Sequence, residues 1–540
     1  MSQSYDGIIL GTGHNALILQ AYLSRCGMKT LALDCADVPG GGLSTIENPR
    51  VPGVLHNPHS FYHRAMNRMP WYRDLDLESR GVRFLEPELN VAMILRDGRS
   101  LQWRTKLEDT LDSFAEFSKK DAEALVRWTE EFRPIVENIL LPEAQCPPME
   151  SSRREARLRE TKLGRRLLEV SALSPLEFVT QNFEHDAIRA GLLFFNGLRE
   201  VDLRLKGFGH AIPALLASPG KAQMCVGGSA RLARGLVAEI EAHGGEVRCK
   251  ADLSRILLKD GRAAGVELSG GEQLEADGFV ASGLNPQQTF LQLLPESAAT
   301  LELRERAAGF RYNLLAPLFG LHLALSEPPA YAAAERDPRL HDAFMTILGL
   351  ERFEQFHEIV EAHERGELPG TVAWGSCPTR FDPSQGADGR HSAFLWEKLP
   401  YNLRGNPANW ETERDFHGKA LLEFWKGYAP NLNDATVLDR FALSPADTER
   451  TLPNMFQGDL LVGSFASGQV GCSRPFPGAG TYRSPIPGLY LCGGSTHPGG
   501  NITGLCGYNA ASVIVADAGL KQWWSSPDLE AAFDRLGFDS

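Results

Sequence analysis

Apolar and polar positions alternate in blocks from the first residues onward, and the blocks read as separate elements. Gly7–Leu10 is a short apolar run, "GTGHNA" (Gly11–Ala16) interrupts it, and "LILQAYLSRC" places Leu17, Ala21 and Cys26 on one helical face. Gly27 stands where a helix closes on a left-handed residue, and "KTLALD" follows as a second apolar run ending in Asp34. The pattern predicts strand, tight turn, helix, strand. Leu107–Leu140 repeats apolar positions three and four apart, which predicts a helix pair. "LFGLHLALS" reads as a strand, whereas Phe353, Phe356, Val360 and His363 share a helical face. Near the end, "GLYLCGGSTHPGGNITGLCGYNAASVIV" (Gly488–Val515) runs from a strand-like segment through two glycine pairs into a helix.

The first turn carries chemistry. Gly11 permits a tight bend, Gly13 lets backbone approach a pyrophosphate, and Ala16 is small enough for close helix–strand packing. The helix N-terminus adds unpaired amides and a positive dipole end. Asp34, 23 residues beyond Gly11, stands where a carboxylate grips ribose hydroxyls and repels a 2′-phosphate, which disfavours NADP. This motif suits FAD and NAD alike. The three glycines of "DVPGGGLSTIE" (Asp37–Glu47) favour the longer dinucleotide, because a simple nicotinamide domain has no evident need of them.

Composition narrows the class. A chain of 540 residues with 43% apolar and 23% charged residues suits a globular protein of two domains, intertwined or consecutive. The net charge of -13 argues against a nucleic-acid partner. Nine scattered cysteines without a C-x-x-C pair fit a reducing compartment and disfavour a zinc site. No leader pattern and no run of ~20 apolar residues is evident, so a soluble, cytoplasmic protein is expected. The basic stretch "RREARLRETKLGRR" (Arg153–Arg166) reads first as a solvated helix or loop. Peripheral contact with an acidic membrane surface stays open.

Tyr5–Ser60 and Pro485–Ala516 together resemble the phytoene (carotenoid) desaturase-like FAD-dependent oxidoreductases, and Cys225–Pro286 fits the same pattern. "SCPTRFDPS" (Ser376–Ser384) fits it more loosely. The nearer branch includes carotenoid ketolases and the pyridine nucleotide-disulfide oxidoreductase domain-containing protein 2 type. The resemblance implies an α/β fold: a Rossmann-like FAD-binding domain of the glutathione-reductase type, assembled from discontinuous segments, plus an α+β substrate domain. The expected division is 1–70, 225–290 and 455–540 for the cofactor, and 71–224 with 291–454 for the substrate. By position, Gly11, Gly13, Asn15 and Ala16 would surround the pyrophosphate of FAD, with Asp34 on the ribose. Gly41, Gly42, Leu43, Ser44 and Thr45 would follow the ribityl and phosphate chain, and the Leu253 backbone would meet adenine. Gly493 and Gly494 would let backbone approach the cofactor, while the amides of Thr503, Gly504 and Leu505 would face the flavin's pyrimidine edge.

Two departures stand out. Many relatives have an acidic residue where this chain has Gly494 or Ser495, so bonds to the ribityl chain must come from backbone or Ser495. "FASGQVGCSRPFPG" (Phe465–Gly478) also lacks the acidic residue expected before Gln469.

For catalysis, "LHNPHSFYHR" (Leu55–Arg64) should lead from the flavin toward the substrate domain. It offers His56, His59 and Tyr62 as candidates, with His63 beside them and His497 in the last loop, and scaffold roles are equally open to all. No carboxylate lies among these histidines, so no metal site is expected. The chain lacks the ending of an NTPase phosphate loop and the G-x-S-x-G elbow of a serine hydrolase. The expected function is a dehydrogenase or desaturase passing hydride from a small apolar substrate, isoprenoid or carotenoid-like, to flavin. A redox-neutral isomerase, a ketolase and a non-catalytic flavoprotein module are the alternatives. The electron acceptor, whether oxygen, a quinone or a pyridine nucleotide, is not legible.

Overall fold

The computed structural model describes residues 4–196, 202–297, 300–466 and 468–536. Two seven-stranded sheets organise it. In the first, strand Ser4–Leu10 lies between Thr30–Leu33 and Gln273–Ser282, parallel to both. Glu246–Arg248 extends one edge in parallel. On the other side the long strand Gln273–Ser282 is shared. Its first residues join an antiparallel meander with Arg262–Leu268 and Leu253–Lys259, and Val280–Ser282 pair in parallel with Leu489–Leu491. The C-terminal strand is therefore one place removed from the N-terminal strand. Only a sheet built from both chain ends does this.

The parallel strands Thr30–Leu33 and Leu489–Leu491 and the second half of Ser4–Leu10 are largely buried, which explains their apolar runs, whereas the edge strand Glu246–Arg248 is mostly exposed. Helices His14–Arg25, Ala230–Ala242 and Leu505–Asp517 cover one face, with Leu17, Leu236 and Val513 in a shared core. Trp71, Leu75, Leu77 and Val82 join that core. The meander covers the other face, where Ile256 and Val266 pack on Ile8 and Leu33.

Both insertions supply the second sheet. Its order is Val437–Leu443, Leu318–Leu325, His391–Lys398, Ala373–Ser376, Met345–Leu348, Leu89–Ile94, Ser100–Arg104. All its neighbours are antiparallel except Met345–Leu348 with Leu89–Ile94. The helix pair read from the sequence appears as Leu107–Ala115 and Lys119–Ile135, and Phe114, Trp128 and Phe132 bury against Val91, Met93 and Phe394 of the sheet. Helix Trp410–Lys426 covers the opposite face through Trp410, Leu421 and Trp425. Gln355–Arg365 is the predicted second-half helix, with Phe356, Val360 and His363 buried; Phe353 precedes it and is half-buried.

The basic stretch forms two helices, Ser151–Arg159 and Lys162–Ser171, and most of its charge is paired. Arg153 meets Glu530 at 2.6 Å, Arg154 meets Glu143 at 2.6 Å, and Arg166 meets Glu131 at 2.5 Å. Arg157 pairs with Asp534 as well. No helix among the described residues is long and apolar enough to cross a membrane. Among them too, all nine cysteines are free, and no group of His, Cys, Asp and Glu could hold a metal.

Candidate active site

A cavity begins where the strands of the first sheet end. Its wall includes Gly11, Gly13, Asn15, Ala16 and Asp34 from the first strand–helix–strand unit, and Gly41 and Gly42 from the next loop. Gly493, Gly494 and Gly500–Ile502 close it from the far end of the chain. The two N-terminal glycine loops touch: Gly40 donates its N–H to the Thr12 carbonyl at 2.9 Å, and Gly13 bridges to Gly40. Helix His14–Arg25 starts on Gly13 with no side-chain cap, so its first amides stay available to an anion. Asp34 accepts from the Thr12 N–H and hydroxyl at Oδ2, each at 2.7 Å, and from the Ala36 N–H at Oδ1, 3.0 Å. Oδ1, with one partner, keeps acceptor capacity.

Several residues expected at the cofactor stand behind this wall instead. Leu43 is in the core, and Thr45 Oγ1 donates to Asn57 Oδ1 and accepts from the Ala230 N–H. Ser44 Oγ is buried without a partner. Leu253 opens its meander strand outside the cavity; the backbone beside Asp34 is that of Lys250 and Ala251, whose N–H groups bond the Ala36 and Asp34 carbonyls. Thr503, Gly504 and Leu505 follow Ile502 into the closing helix. Gly504 adopts φ +69°, and a Cβ there would strike Ile18 and the Trp71 ring. Trp71 Nε1 donates to the Thr503 carbonyl at 2.7 Å, which locks this turn.

The cavity's other end lies on the second sheet. Phe61, Tyr62 and His59 enter it from the loop after the glycines, opposite Leu318, Trp374, Trp396 and Lys398. His56 does not reach it. The residue lies in the short strand Leu55–His56, its Nε2 is 3.2 Å from Asn48 Nδ2, and its ring stands edge-on to His322 and Phe441. His63 is likewise held elsewhere, 2.8 Å from Ser60 Oγ, and His497 Nε2 is 2.8 Å from the Glu143 carbonyl.

Residues 56–404 match the flavin-containing amine oxidoreductase family. The chain belongs to that family. It is 30% identical to one component of the limonene dehydrogenase of Castellaniella defragrans, over 97% of this chain and 96% of that one. To pyridine nucleotide-disulfide oxidoreductase domain-containing protein 2 of Rattus norvegicus it is 27% identical, over 96% and 94%. The lycopene-forming phytoene desaturase of a Paracoccus species is 24% identical, over 94% and 96%. The resemblance drawn from the glycine clusters holds, and this flavin-containing amine oxidoreductase family member is an FAD-dependent oxidoreductase.

The residues present fit FAD. An ideal Cβ on Gly13 would meet no protein atom within 4 Å, although the residue lines the cavity, so the space in front of it is left for something else. Asn15, in the same wall, and Ser495, which follows the lining residue Gly494, each have a buried side-chain oxygen without a partner. Both are acceptors or donors for a polar dinucleotide.

Electrostatics separate the candidates for catalysis. Burial pushes the His59 imidazole down to about 4, so near pH 7 it is neutral and can accept a proton. Lys398, 7% exposed, donates to the Ala316 carbonyl at 3.2 Å and lies 5.7 Å over the Trp374 ring. The sequence reading missed it. The signal was present: in "HSAFLWEK" the strand period puts Lys398 on the same face as Phe394 and Trp396, a charge among aromatics. Arg474 was missed too. Fully buried, it donates to the carbonyls of Ser464 at 2.9 Å, Gly494 at 3.0 Å and Gly463 at 3.1 Å. Burial pushes its guanidinium down to about 10, and its charge ties the last glycine loop to the segment that lacks the expected carboxylate.

Proposed function

We propose that this chain is a dehydrogenase or desaturase that oxidises a small apolar, isoprenoid-type molecule. One observation carries the reading: a single cavity joins the Gly13 and Asp34 wall to an aromatic and aliphatic face made by Phe61, Trp374, Trp396 and Leu318. The relatives named for limonene and phytoene support an apolar substrate. We assign 1–70, 225–290 and 455–540 to the cofactor and 71–224 with 291–454 to the substrate, a division supported by the segments that feed each sheet.

When bound, FAD supplies the ring that accepts hydride. Backbone amides of Gly13 and Asn15 hold its pyrophosphate, and Asp34 holds its ribose. The aromatic face binds the substrate by burial and excludes water from the reacting carbon. His59, neutral at working pH, takes the proton released as the double bond forms. Tyr62 and Lys398 orient the substrate across from it.

His59→Gln should therefore keep its flavin and lose roughly 10²–10⁴-fold in the rate of flavin reduction. The wild-type rate should stay level from pH 8 to 6.5, above the range in which folding stability falls, since the proton-accepting form persists well above about 4. An unchanged rate in the variant removes His59 from the reaction. The substrate class is tested by anaerobic addition of limonene or an acyclic isoprenoid to the flavin-loaded protein. Persistent bleaching near 450 nm is expected, and oxygen, a quinone or a pyridine nucleotide added in turn should identify the acceptor by restoring colour. Product without bleaching would point to isomerisation and overturn the proposal; no response to any apolar compound would do the same.

A further inference from the structure

Tyr62 lines two cavities. One is the reaction cavity; the other is a chamber between strands His63–Arg64 and Ser100–Arg104 and helices Lys119–Ile135 and Ala211–Ala217. Trp103, Leu107, Leu125, Leu192, Leu215 and Leu216 give it an apolar wall. Arg64, Arg104, Arg133 and Lys221 stand around that wall, four cations against one carboxylate, Glu137.

The charge of three of these, Arg104, Arg133 and Lys221, is not spent on acids. Arg104 donates to Gln102 Oε1 at 3.2 and 3.0 Å, and Lys221 Nζ to the Thr105 carbonyl at 2.5 Å. Among the described residues no ion pair joins Arg104, Arg133 or Lys221 to a carboxylate, in a protein whose net charge is -13. A second observation points to a ligand: Thr129, 5% exposed, belongs to the chamber wall, and its buried hydroxyl lacks a partner.

We propose that this chamber receives the acidic end of an amphiphilic substrate, a carboxylate on an apolar body, whose other end passes Tyr62 into the reaction cavity. The inference rests on the oxidoreductase reading for what happens beyond Tyr62. A neutral hydrocarbon gains nothing from Arg104, Arg133 and Lys221, whereas a carboxylate gains charge-assisted hydrogen bonds in a partly desolvated site. The Thr129 hydroxyl supplies one more donor, and the apolar wall matches a chain or ring body.

Binding measured by calorimetry on the flavin-loaded protein tests this without turnover. Decanoate should bind roughly tenfold or more tightly than decanol. The double variant R104Q/K221Q should erase that preference while leaving decanol affinity unchanged, and R104K should retain it. Thr129→Val, which removes a hydroxyl one helical turn from Arg133 and no charge, should weaken decanoate alone. Equal affinity of the two probes in the wild type overturns the proposal, as does a preference that survives R104Q/K221Q. Sedimentation with phosphatidylglycerol but not phosphatidylcholine vesicles, without any preference for free decanoate, would place the acidic group on a lipid surface and also overturn it. Failure of limonene to bleach the flavin sinks the earlier reading and leaves the decanoate measurement standing.

Discussion

Between pH 6.5 and 5 the protein should lose most of its stability. His56, His63 and His363 are buried, and burial pushes each imidazole from an ordinary 6.5 down to about 4; His322 lies well below 6.5 for the same reason. The unfolded chain takes up protons at these sites as soon as pH falls below 6.5, and the folded chain does not until about 4. The unfolded state therefore binds more protons across this window, so stability falls as pH falls. His56, His63 and His363 each remove about 2 kcal/mol by pH 5, and His322 acts in the same direction. Together these three remove on the order of 6 kcal/mol, which rivals the whole stability of a folded domain. Melting temperature against pH is the measurement. His322 offers the sharpest control, because both its ring nitrogens are buried without partners while its ring stacks on Phe441 at 4.9 Å. His322→Phe keeps the stack and removes the titrating group. Its melting curve should rise at pH 7 and fall less steeply toward pH 5. A wild-type curve that is flat over this range would refute the argument.

The second large effect contrasts two glycines. A Cβ on Gly507 would sit 1.9 Å from the Asn15 carbonyl oxygen, so Gly507→Ala must push the closing helix away from the first one. A cost on the order of 3 kcal/mol is expected, along with weak flavin retention. Gly13→Val differs in kind. Gly13 has φ -62° and ψ 162°, conformations any residue adopts, and its Cβ would meet no protein atom. The flavin-free Gly13→Val protein should melt within about 0.5 kcal/mol of flavin-free wild type, yet purify colourless. Apo melting temperature and bound flavin per chain separate the two. A yellow Gly13→Val protein with normal affinity would show that the cofactor does not pass this turn.

The cofactor end of the site was legible because local sequence builds it. Gly11, Gly13, Ala16 and Asp34 belong to one contiguous unit whose turn, helix start and strand end are each marked by residue type. The second glycine loop and the closing helix were legible on the same ground. Leu253 shows the limit: its segment does approach Asp34, but through the amides of Lys250 and Ala251, a choice of backbone that residue types do not mark.

The substrate end was hidden in proportion to how far apart its residues lie. Lys398 and Trp374 come together only when two strands of the second insertion pair, with Phe61 reaching them from the loop before the first insertion, and no spacing along the chain encodes that. His56 and His59 look alike in sequence; only packing against His322 and Phe441 tells that one faces away from the cavity and the other into it. By itself the sequence determined the family, the cofactor and the meeting of the two chain ends, because phosphate-binding turns are short-range devices set by the few residues that tolerate them. Tertiary structure alone decided which side chains face the substrate and what lies beyond Tyr62, because those choices follow from side-chain burial across strands hundreds of residues apart.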